Sequence, residues 1–357
     1  MTESGRTLRV FQVGTGNVGA EMVKRLQVHP GLELVGVHAY SPAKVGRDAG
    51  EVVGITPVGV VMTHTVEKIL ALEPDVVSFY GIHLDMDLLV RVLEAGINVV
   101  TTADWINGRY FAARGGEDRR ARVEAACRQG GATFYGTGMN PGLLQVLTVA
   151  HTNDVAAIEH ISAVESVDVS FYQSVQTWEE TGFGRPADDP GLPGLLEGRT
   201  AVLSEGVELM ADCLGLELDD LRFEYELGAC TEDVDLGWYQ LPTGSLGGVR
   251  LRWIGSVGGV DKIENVLEWQ MTPHTSPSWE IKGCYVTDIK GDPYVHSEHW
   301  ILPRPDADWE SQDTLMSVGM TATGMPTLNA IPHVVDAAPG VITSADLPLR
   351  AFAGRFA

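Results

Sequence analysis

From residue 9 to residue 135, the apolar positions of the chain alternate between two patterns. Short continuous apolar runs are typical of strands buried on both faces of a parallel sheet, and apolar residues three or four positions apart are typical of amphipathic helices. The predicted strands are the run that ends at residue 13, an edge strand beginning at 60–61, and residues 32–39, 75–80, 98–102 and 132–135. The predicted helices are residues 22–27, 66–72, 85–94 and 118–128. This alternation predicts an α/β fold whose N-terminal part is a Rossmann domain with a doubly wound parallel sheet.

After residue 150 the pattern changes to longer strands with fewer helices. The predicted elements are a strand at 158–170, one long helix at 194–214, strands at 249–254 and 264–271 joined through Gly258 and Gly259, a hairpin of 280–289 and 294–302 that turns at 290–293, and a helix at 327–338 stopped by Pro339 and Gly340. They predict a second α+β domain on a mainly antiparallel sheet, whose long strands could build a homodimer interface. The expected boundaries are 1–145 for the Rossmann domain, 146–325 for the substrate and dimerisation domain, and 326–357 for a C-terminal segment that returns to the Rossmann domain.

The first strand runs into Gly14-x-Gly16-x-x-Gly19 and then into a helix, which is the dinucleotide-binding fingerprint. In this motif Gly14 permits the tight turn, Gly16 lets the backbone approach a pyrophosphate, and Gly19 lets the helix pack closely on the strand. The phosphate then lies at the helix N-terminus. The alternative is a tight strand-to-helix turn that binds no ligand.

Ligands of an open parallel sheet lie outside the carboxyl ends of its strands, so the loops at 80–83, 101–105 and 136–142 are expected to surround the same crevice as the glycine loop. Asn140 precedes Pro141 in the last of these loops, where its amide either holds the nicotinamide carboxamide or belongs to an ordinary Asn-Pro turn. The residues assigned to the cofactor are Gly14, Thr15, Gly16, Asn17, Val18, Gly19, His38, Ser41, Lys44, Tyr80, Gly81, Thr102, Asn140 and Pro141.

The residues after the second strand indicate which nicotinamide cofactor to expect. NAD-specific sites place an acidic residue there for the ribose hydroxyls, whereas this chain has His38-Ala-Tyr-Ser-Pro-Ala-Lys44, without a carboxylate. Ser41 can donate to a 2′-phosphate, and Lys44 or Arg47 can supply positive charge, so NADP is favoured and the use of NAD stays open. The alternative is that Lys44 and Arg47 are solvated loop charges.

Composition narrows the class of protein. A length of 357 residues with 44% hydrophobic residues suits an enzyme of two domains with buried cores. The formal net charge of −23 argues against nucleic acid or an anionic membrane as a partner, because both would repel the chain. The four cysteines lie far apart without a CxxC pair and are interpreted as reduced core residues. The chain begins without an apolar signal-peptide region and has no segment of membrane-spanning length, so a cytoplasmic protein is expected.

Three stretches carry a resemblance to a known family: the glycine fingerprint, Tyr-Gly-Thr-Gly-Met-Asn-Pro-Gly-Leu-Leu at 135–144, and Asn-Ala-Ile-Pro-His-Val-Val-Asp-Ala-Ala-Pro-Gly at 329–340 with its continuation to 348. The chain resembles the dihydrodipicolinate-reductase-like oxidoreductases, and over most of its length it is similar to the native amine dehydrogenases and 2,4-diaminopentanoate dehydrogenases among them. This resemblance implies a Rossmann domain, a substrate domain, a dimer, and hydride exchange between NAD(P)H and the carbon of an imine or amine. The chain lacks the paired-histidine and lysine motif with which true dihydrodipicolinate reductases grip a dicarboxylate, so that substrate is not expected.

The resemblance also implies a catalytic carboxylate. In the amine dehydrogenases a glutamate just past the strand that corresponds to 98–102 faces the reacting nitrogen, and this chain has Asp104 there, which is one methylene shorter. A carboxylate beside an iminium cation stabilises the charge, orients ammonia and can move protons, so Asp104 is the predicted catalytic residue. The alternative is that Asp104 caps the turn that follows it.

Four residues of the second domain are predicted to line the substrate pocket, or else to be ordinary strand-surface and core residues: Glu165, Tyr172, Trp178 and His274. His296 and His299 have the spacing of a metal pair on a helix, but their segment is predicted to be a strand, in which they would face opposite ways. No metal site is expected, since no cysteine or acidic set surrounds these histidines in the sequence.

The leading hypothesis is therefore an NAD(P)-dependent amine dehydrogenase. It would catalyse the reductive amination of small ketones or aldehydes with ammonia, and the reverse oxidative deamination. The aspartate in place of glutamate keeps a second hypothesis open, namely a carbonyl or C=C reductase that uses the same cofactor without ammonia. A third hypothesis is a non-catalytic NADP-binding sensor, because a fold does not by itself imply chemistry.

Overall fold

The structure, a computed structural model, describes residues 6–110 and 118–347 of the chain. The last part of the predicted C-terminal segment, residues 348–357, lies outside the described residues. The chain forms two compact units. Unit 1 contains the described residues up to Leu143 and those from Gly319 onward, and unit 2 is Leu144–Val318.

Strands and helices of the described residues are numbered in chain order. The strands are β1 (Leu8–Val13), β2 (Leu32–His38), β3 (Met62–Thr63), β4 (Val76–Phe79), β5 (Asn98–Thr101), β6 (Thr133–Gly136), β7 (Ala157–Asp168), β8 (Asp220–Cys230), β9 (Val234–Asp235), β10 (Gln240–Leu241), β11 (Leu246–Val257), β12 (Val260–Gln270), β13 (Thr275–Ser276), β14 (Cys284–Asp292), β15 (Val295–His299) and β16 (Gly340–Ile342). The helices are α1 (Asn17–Leu26), α2 (Ala49–Val52), α3 (Val66–Ala71), α4 (Met86–Glu94), α5 (Arg119–Gly130), α6 (Leu144–His151), α7 (Val175–Glu180), α8 (Leu192–Arg199), α9 (Val202–Leu214) and α10 (Gln312–Asp336).

Unit 1 is built on an open sheet in the order β16-β6-β5-β4-β1-β2-β3, with parallel pairing throughout its described strands. From β1 the chain moves outward to β2 and β3, returns to the other side of β1, and moves outward again through β4, β5 and β6. The reversal between β1 and β4 is the topological switch point, at whose carboxyl edge such sheets bind ligands. The predicted doubly wound Rossmann fold is confirmed.

Apolar side chains cover both faces of this sheet. On one face a buried cluster joins Val77 of β4 with Leu89 of α4 and Val123 of α5. On the other face a second cluster joins Met22 of α1 with Ile331 of α10. Because successive residues of a strand point to opposite faces, the fully buried strands need apolar residues at nearly every position, which explains the continuous apolar runs of the sequence.

Helix α10 begins at Gln312, so the prediction of a start at 327 is wrong. Gly324 and Pro326 lie in the missed part, and both residue types disfavour a helix interior. Tertiary packing overrides that preference. A Cβ added at Gly324 would lie 2.5 Å from Met22 Sδ, so the glycine lets α10 pack closely against α1. After α10, β16 pairs in parallel with β6.

Unit 2 contains a second sheet in the order β13-β8-β11-β12-β7-β14-β15, in which β12 and β7 pair in parallel and the other described neighbours pair antiparallel. The predicted α+β unit on a mainly antiparallel sheet is confirmed. The hairpin between β11 and β12 turns at Gly258 and Gly259 as predicted, with φ of +61° and +72°. A two-residue turn of this kind requires positive φ at both positions, which glycine adopts without strain.

Strand β8 was not predicted from the sequence; it pairs with β11 along most of its length and with the two-residue β13 at its end. Its residues 220–227 read Asp-Leu-Arg-Phe-Glu-Tyr-Glu-Leu, a strict alternation of charged and apolar positions that indicates a strand. The charged positions pair across the sheet. Arg252 of β11 lies 2.8 Å from Glu224 of β8 and 2.6 Å from Glu264 of β12.

Two further predictions in unit 2 are corrected. The single helix expected at 194–214 is two helices, α8 and α9, because the Thr200 hydroxyl between them donates to the Leu196 carbonyl at 2.7 Å and accepts from Trp253 Nε1 at 3.3 Å. Such local side-chain bonds compete with helix continuation. The first strand of the last hairpin is β14, Cys284–Asp292, and not 280–289, because it continues to Asp292 by pairing with β7. The pairing between β14 and β15 ends at Ile289 and Val295, so the predicted turn at 290–293 lies within the connection between the two strands.

None of the four cysteines forms a disulfide; Cys127, Cys230 and Cys284 are buried, and Cys213 is partly buried. Burial raises the pKa of the Cys127 thiol to about 12, so this side chain is neutral in the core. Among the helices that the structure describes, none is long and apolar enough to cross a membrane.

Candidate active site

The glycine loop joins β1 to α1 in a conformation that admits only glycine at two positions. Gly14 has φ of +95°, and a Cβ added there would lie 2.8 Å from the carbonyl oxygen of Tyr80. A Cβ added at Gly19 would lie 2.4 Å from the carbonyl oxygen of Gly14. At Gly16, by contrast, an added Cβ would meet nothing within 4 Å. The open space beside Gly16 fits the close approach of a pyrophosphate to the backbone.

Gln12 holds this loop in place and was not among the predicted site residues. Its buried side-chain Nε2 donates to the carbonyl oxygens of Gly14 at 2.8 Å and Gly19 at 2.7 Å. Helix α1 begins directly behind the loop with Gly16 as its N-cap, so no cap side chain covers the N–H groups of its first turn. Such a helix end favours an anion. In the sequence, Gln12 could have been recognised as a polar residue within an apolar strand, just before the glycine motif.

The segment after β2 places a cation at the glycine loop. Lys44 Nζ lies 2.9 Å from the backbone oxygen of Thr15 and 3.2 Å from its Oγ1. The exposed Ser41 belongs to the same turn, since its carbonyl accepts the N–H of Lys44 at 3.0 Å. His38 is buried in edge-to-face contact with Tyr40, and burial lowers the pKa of the His38 imidazole, which is therefore uncharged at neutral pH.

The other predicted cofactor residues follow the carboxyl ends of neighbouring strands. Tyr80 and Gly81 follow β4, and Thr102 follows β5. The buried Tyr80 hydroxyl bonds to Thr327 Oγ1 at 2.7 Å, so this side chain packs against α10 and only the Tyr80 backbone lies at the glycine loop. Burial raises the pKa of Tyr80, which keeps the phenol neutral.

Asn140 and Pro141 lie farther along the same edge, in the irregular turn Met139–Leu143 after β6. Strand β5 separates β6 from β4, so this turn does not adjoin the switch point directly. The glycine loop contacts both Lys44 and the Tyr80 backbone, whereas Asn140 follows β6, which lies two strands from β4 in the sheet. The assignment of these residues to a cofactor stays a prediction.

Asp104 lies in the loop after β5, and three groups hold its carboxylate. Oδ1 accepts from the backbone N–H of Leu84 at 3.1 Å. Oδ2 lies 3.3 Å from Arg119 Nη1 and 3.3 Å from His83 Nδ1. The Arg119 guanidinium in turn lies over the Trp105 ring, 5.6 Å from its centroid. The side chain of Asp104 remains 20% exposed, so a negative charge is accessible at the carboxyl edge of the sheet.

The partners of Asp104 bear on the alternative that it caps its own turn. The backbone N–H that Asp104 accepts belongs to Leu84, in the loop after β4, and not to the turn that follows Asp104. The carboxylate therefore ties the loops of two neighbouring strands to the start of α5. Whether it also acts in catalysis stays a prediction.

Three of the four predicted substrate-pocket residues lie together in unit 2. Buried Trp178 makes edge-to-face contacts with Tyr172, at 5.7 Å between ring centroids, and with Trp269, at 5.6 Å. Glu165 of β7 accepts from Trp269 Nε1 at 2.8 Å, which places a carboxylate beside these rings. His274 lies elsewhere, in an exposed turn 3.3 Å from Glu232. Substrate binding by these residues stays a prediction.

His296 and His299 lie in β15, which confirms that their segment is a strand. His296 Nδ1 lies 2.8 Å from Asp288 Oδ1, across the hairpin in β14. Over residues 6–110 and 118–347, no group of three or more histidine, cysteine or acidic side chains could hold a metal ion.

We expect Asp288→Asn to lower the pKa of His296 toward its ordinary value of 6.5, because the hydrogen bond to Asp288 is the main cause that raises it. Since the folded pKa lies above the unfolded one, the pair stabilises the fold below the unfolded pKa, and this stability is lost as the pH rises through the folded pKa. A proton NMR titration of the histidine Cε1–H signals measures the change. His29, whose pKa burial lowers, is the control that stays unchanged, and an unaltered His296 titration would contradict the assignment.

A glycine loop held at the switch point of a parallel sheet, with open space at Gly16, is the arrangement of a dinucleotide-binding domain, and the Asp104 carboxylate lies at the same edge of its sheet. Residues 143–356 match the family model described as the 2,4-diaminopentanoate dehydrogenase C-terminal domain, and residues 8–103 match that of the dihydrodipicolinate reductase N-terminus. The chain belongs to the 2,4-diaminopentanoate dehydrogenase family, and the resemblance seen in the sequence is confirmed.

Full-length relatives agree with this membership. An amine dehydrogenase of Streptomyces virginiae is 28% identical over 356 residues, which are 96% of each chain. The 2,4-diaminopentanoate dehydrogenase of Acetoanaerobium sticklandii is 25% identical over 366 residues, covering 98% of this chain and 96% of the relative. The structure of an amine dehydrogenase from Mycobacterium smegmatis, at 18% identity over 97% of both chains, has a TM-score of 0.75 and shares the fold. The chain is an NAD(P)-dependent oxidoreductase of the amine dehydrogenase type.

Proposed function

We propose that this protein is an amine dehydrogenase that aminates small ketones or aldehydes reductively with ammonia and, in reverse, deaminates the amines oxidatively. The observation that carries the proposal is the partly exposed carboxylate of Asp104 at the carboxyl end of β5. Strand β5 lies next to β4, and the backbone of the loop after β4 contacts the glycine loop. The relatives named amine dehydrogenase and 2,4-diaminopentanoate dehydrogenase support the same chemistry.

The residues of unit 1 have defined tasks in this proposal. Ammonia adds to the carbonyl carbon and water leaves, which gives a C=N nitrogen that carries positive charge when protonated. Bound NAD(P)H supplies the hydride that reduces this carbon. Asp104 stabilises the positive charge, and because Leu84 N–H and Arg119 hold the carboxylate, it needs little rearrangement during the reaction. Gln12 keeps the glycine loop in the shape that orients the cofactor.

The test is to incubate the protein with NADPH and short aliphatic ketones, with and without ammonia. We expect NADPH oxidation that requires both the ketone and ammonia. NADPH oxidation that needs only the carbonyl compound would instead support the carbonyl reductase hypothesis. The ion pair between Arg119 and Asp104 favours this hypothesis, because it offsets part of the charge of the carboxylate. Tight NADPH binding without turnover over a broad panel would support the sensor hypothesis.

We propose NADP as the preferred cofactor, with its 2′-phosphate near Ser41 and Lys44. The segment from His38 to Lys44 has no carboxylate to hold a free 2′-hydroxyl, and the ammonium of Lys44 lies at the glycine loop. Both features favour an additional phosphate over a bare ribose.

Lys44→Ala is expected to weaken NADPH binding about ten-fold or more and to change NADH binding little, because a charge-assisted hydrogen bond contributes roughly 1.5–3 kcal/mol. Fluorescence titration with both reduced cofactors measures the two affinities. Lys68→Ala removes an exposed lysine of α3 in the same unit and serves as the control. Equal losses for NADPH and NADH would mean that Lys44 acts through its contact with Thr15 and not through the 2′-phosphate.

We further propose that the protein assembles as a homodimer. The edge strand β15 is flanked by exposed apolar side chains, with Tyr294, Trp300 and Leu302 exposed by 58%, 49% and 52%. Exposed apolar residues beside an unpaired strand edge are typical of association surfaces. Size-exclusion chromatography with light scattering should give twice the mass of one chain, and the mass of a single chain would contradict the proposal. The cytoplasmic location stays a prediction.

A further inference from the structure

His83 lies in the short loop that connects β4 to α4. Strand β4 is the neighbour of β1 across the switch point, and the first residue of the same loop, Tyr80, presents its carbonyl oxygen to Gly14. His83 is therefore three residues from a backbone contact with the glycine loop. Its side chain is 62% exposed, so the imidazole is accessible from the carboxyl edge of the sheet, where the ligands of such folds bind.

Asp104 holds His83 in two ways. Its Oδ2 lies 3.3 Å from His83 Nδ1, and its Oδ1 accepts the backbone N–H of the next residue, Leu84, at 3.1 Å. A carboxylate beside Nδ1 favours the tautomer that carries its proton there, which leaves the lone pair on Nε2. A histidine oriented in this way by a carboxylate is a common arrangement for a general base.

The charged groups around Asp104 and His83 give these two side chains different roles. Arg119 Nη1 lies 3.3 Å from the same Oδ2 of Asp104 and is held over Trp105. This contact fixes the position of the Asp104 carboxylate, which also contacts His83 Nδ1. Asp85, in the same loop as His83, uses its carboxylate to cap α4 by accepting the N–H of Leu88 at 3.1 Å. Asp104 thus supplies charge and orientation, and the imidazole is the group suited to exchange protons near neutral pH.

We propose that His83 is a catalytic residue that carries the proton of the substrate nitrogen, with Asp104 as the group that orients it. This inference rests on the proposed amine dehydrogenase function. In the oxidative direction the substrate is an alkylammonium ion. His83 Nε2 takes one N–H proton, the nitrogen lone pair then forms the C=N bond as the C–H bond breaks and its hydride leaves to the oxidised nicotinamide cofactor, and His83 passes the proton to water.

In the reductive direction His83 acts as an acid instead of a base. Protonated His83 gives its Nε2 proton to the hydroxyl of the carbinolamine, so that the C–O bond breaks and water leaves as the C=N bond forms. Neutral His83 then regains a proton from water, and after the hydride from the reduced cofactor has added to the carbon, the neutral amine takes up that proton through Nε2.

The test begins with His83→Gln in the full chain, with His64→Gln as the matched control. His64 is an exposed histidine of the same unit, directly after β3. We expect His83→Gln to lower ammonia-dependent turnover about a hundred-fold, the order expected for a lost acid or base, and to leave the NADPH dissociation constant and Tm unchanged. Added imidazole should restore ammonia-dependent turnover to His83→Ala in proportion to its imidazolium concentration, because His83 acts as an acid in this direction. The control variant should match the wild type in each respect.

A second readout is independent of turnover. Diethyl pyrocarbonate modifies exposed imidazoles, and mass spectrometry locates the modified residue. NADP⁺ together with the ketone, a pair that cannot react, should slow the modification of His83 and leave that of His64 unchanged. Unchanged modification of His83, or full turnover of His83→Gln in a chain whose wild type aminates ketones, overturns the role of His83 and leaves the proposed function intact. A wild type without ammonia-dependent turnover overturns both.

Discussion

Replacing Asp104 by asparagine is expected to lower turnover about a hundred-fold or more while NADPH affinity is retained, because the variant keeps the shape of the side chain and loses its charge. The asparagine oxygen can still accept the N–H of Leu84, whereas the ion pair with Arg119 is lost, so a moderate fall in Tm should accompany the loss of activity. Steady-state kinetics, a fluorescence titration with NADPH and a thermal melt measure the three quantities.

Asp75→Asn is the matched control for this prediction. Asp75 precedes β4 at the opposite, amino-terminal edge of the same sheet, and its side chain is 18% exposed, against 20% for Asp104. It likewise accepts a backbone N–H, from Arg9 at 2.8 Å, and pairs with an arginine, Arg6, at 2.7 Å. The control should lose stability and keep its turnover. Full turnover of Asp104→Asn with a similar loss of Tm would show that Asp104 is only structural.

Asp104→Glu is the informative companion to these variants. It introduces the residue expected from the resemblance to the amine dehydrogenases, with the charge retained and one methylene added. Amination activity should be retained or raised where the pocket has room for the longer side chain. The same kinetic assay compares the three variants under one set of conditions.

Gly19→Ala is expected to have the largest effect on cofactor binding. The new methyl group would lie 2.4 Å from the backbone oxygen of Gly14, and neither backbone segment can move without breaking the hydrogen bonds of Gln12. An overpacked site costs roughly 1–3 kcal/mol, so Tm should fall, and the distorted loop should weaken NADPH binding about a hundred-fold. A thermal melt and a fluorescence titration measure both effects.

Substitutions at two further glycines distinguish an effect on folding from an effect on cofactor binding. Gly31→Ala, where an added Cβ meets nothing within 4 Å, should change neither Tm nor affinity. Gly16→Ala also meets nothing within 4 Å, so Tm should hold, yet the methyl group would occupy the space assigned to the pyrophosphate and weaken NADPH binding about ten-fold or more. Unchanged NADPH affinity in Gly16→Ala would move the pyrophosphate away from this loop.

The fold was predictable where local pattern and packing agree. The buried strand β4 and the glycine hairpin between β11 and β12 follow from apolar runs and turn residues alone. The start of α10 was not predictable in this way, because the chain stays helical at Gly324 through its contact with Met22 of another helix. The break at Thr200 likewise depends on a hydrogen bond from Trp253. Local periodicity carries no information on such distant contacts.

The residues of the candidate site likewise differ in how far the sequence alone predicts them. Gly14, Gly16 and Gly19 follow from the motif because each requirement is local to one turn. The partners of Asp104 do not, because His83 and Arg119 reach it only through the order of the strands and the start of α5. A sequence pattern identifies a carboxylate at the end of a strand but not the groups that orient it.

The most direct test of the central claim follows both the nitrogen and the hydride into the product. The protein is incubated with a short aliphatic ketone, ¹⁵N-labelled ammonia and NADPH carrying deuterium at the transferable position, and the product is analysed by mass spectrometry. The proposed function predicts an amine that contains both the ¹⁵N and one deuterium atom on the adjacent carbon. An alcohol that contains deuterium but no ¹⁵N would contradict it.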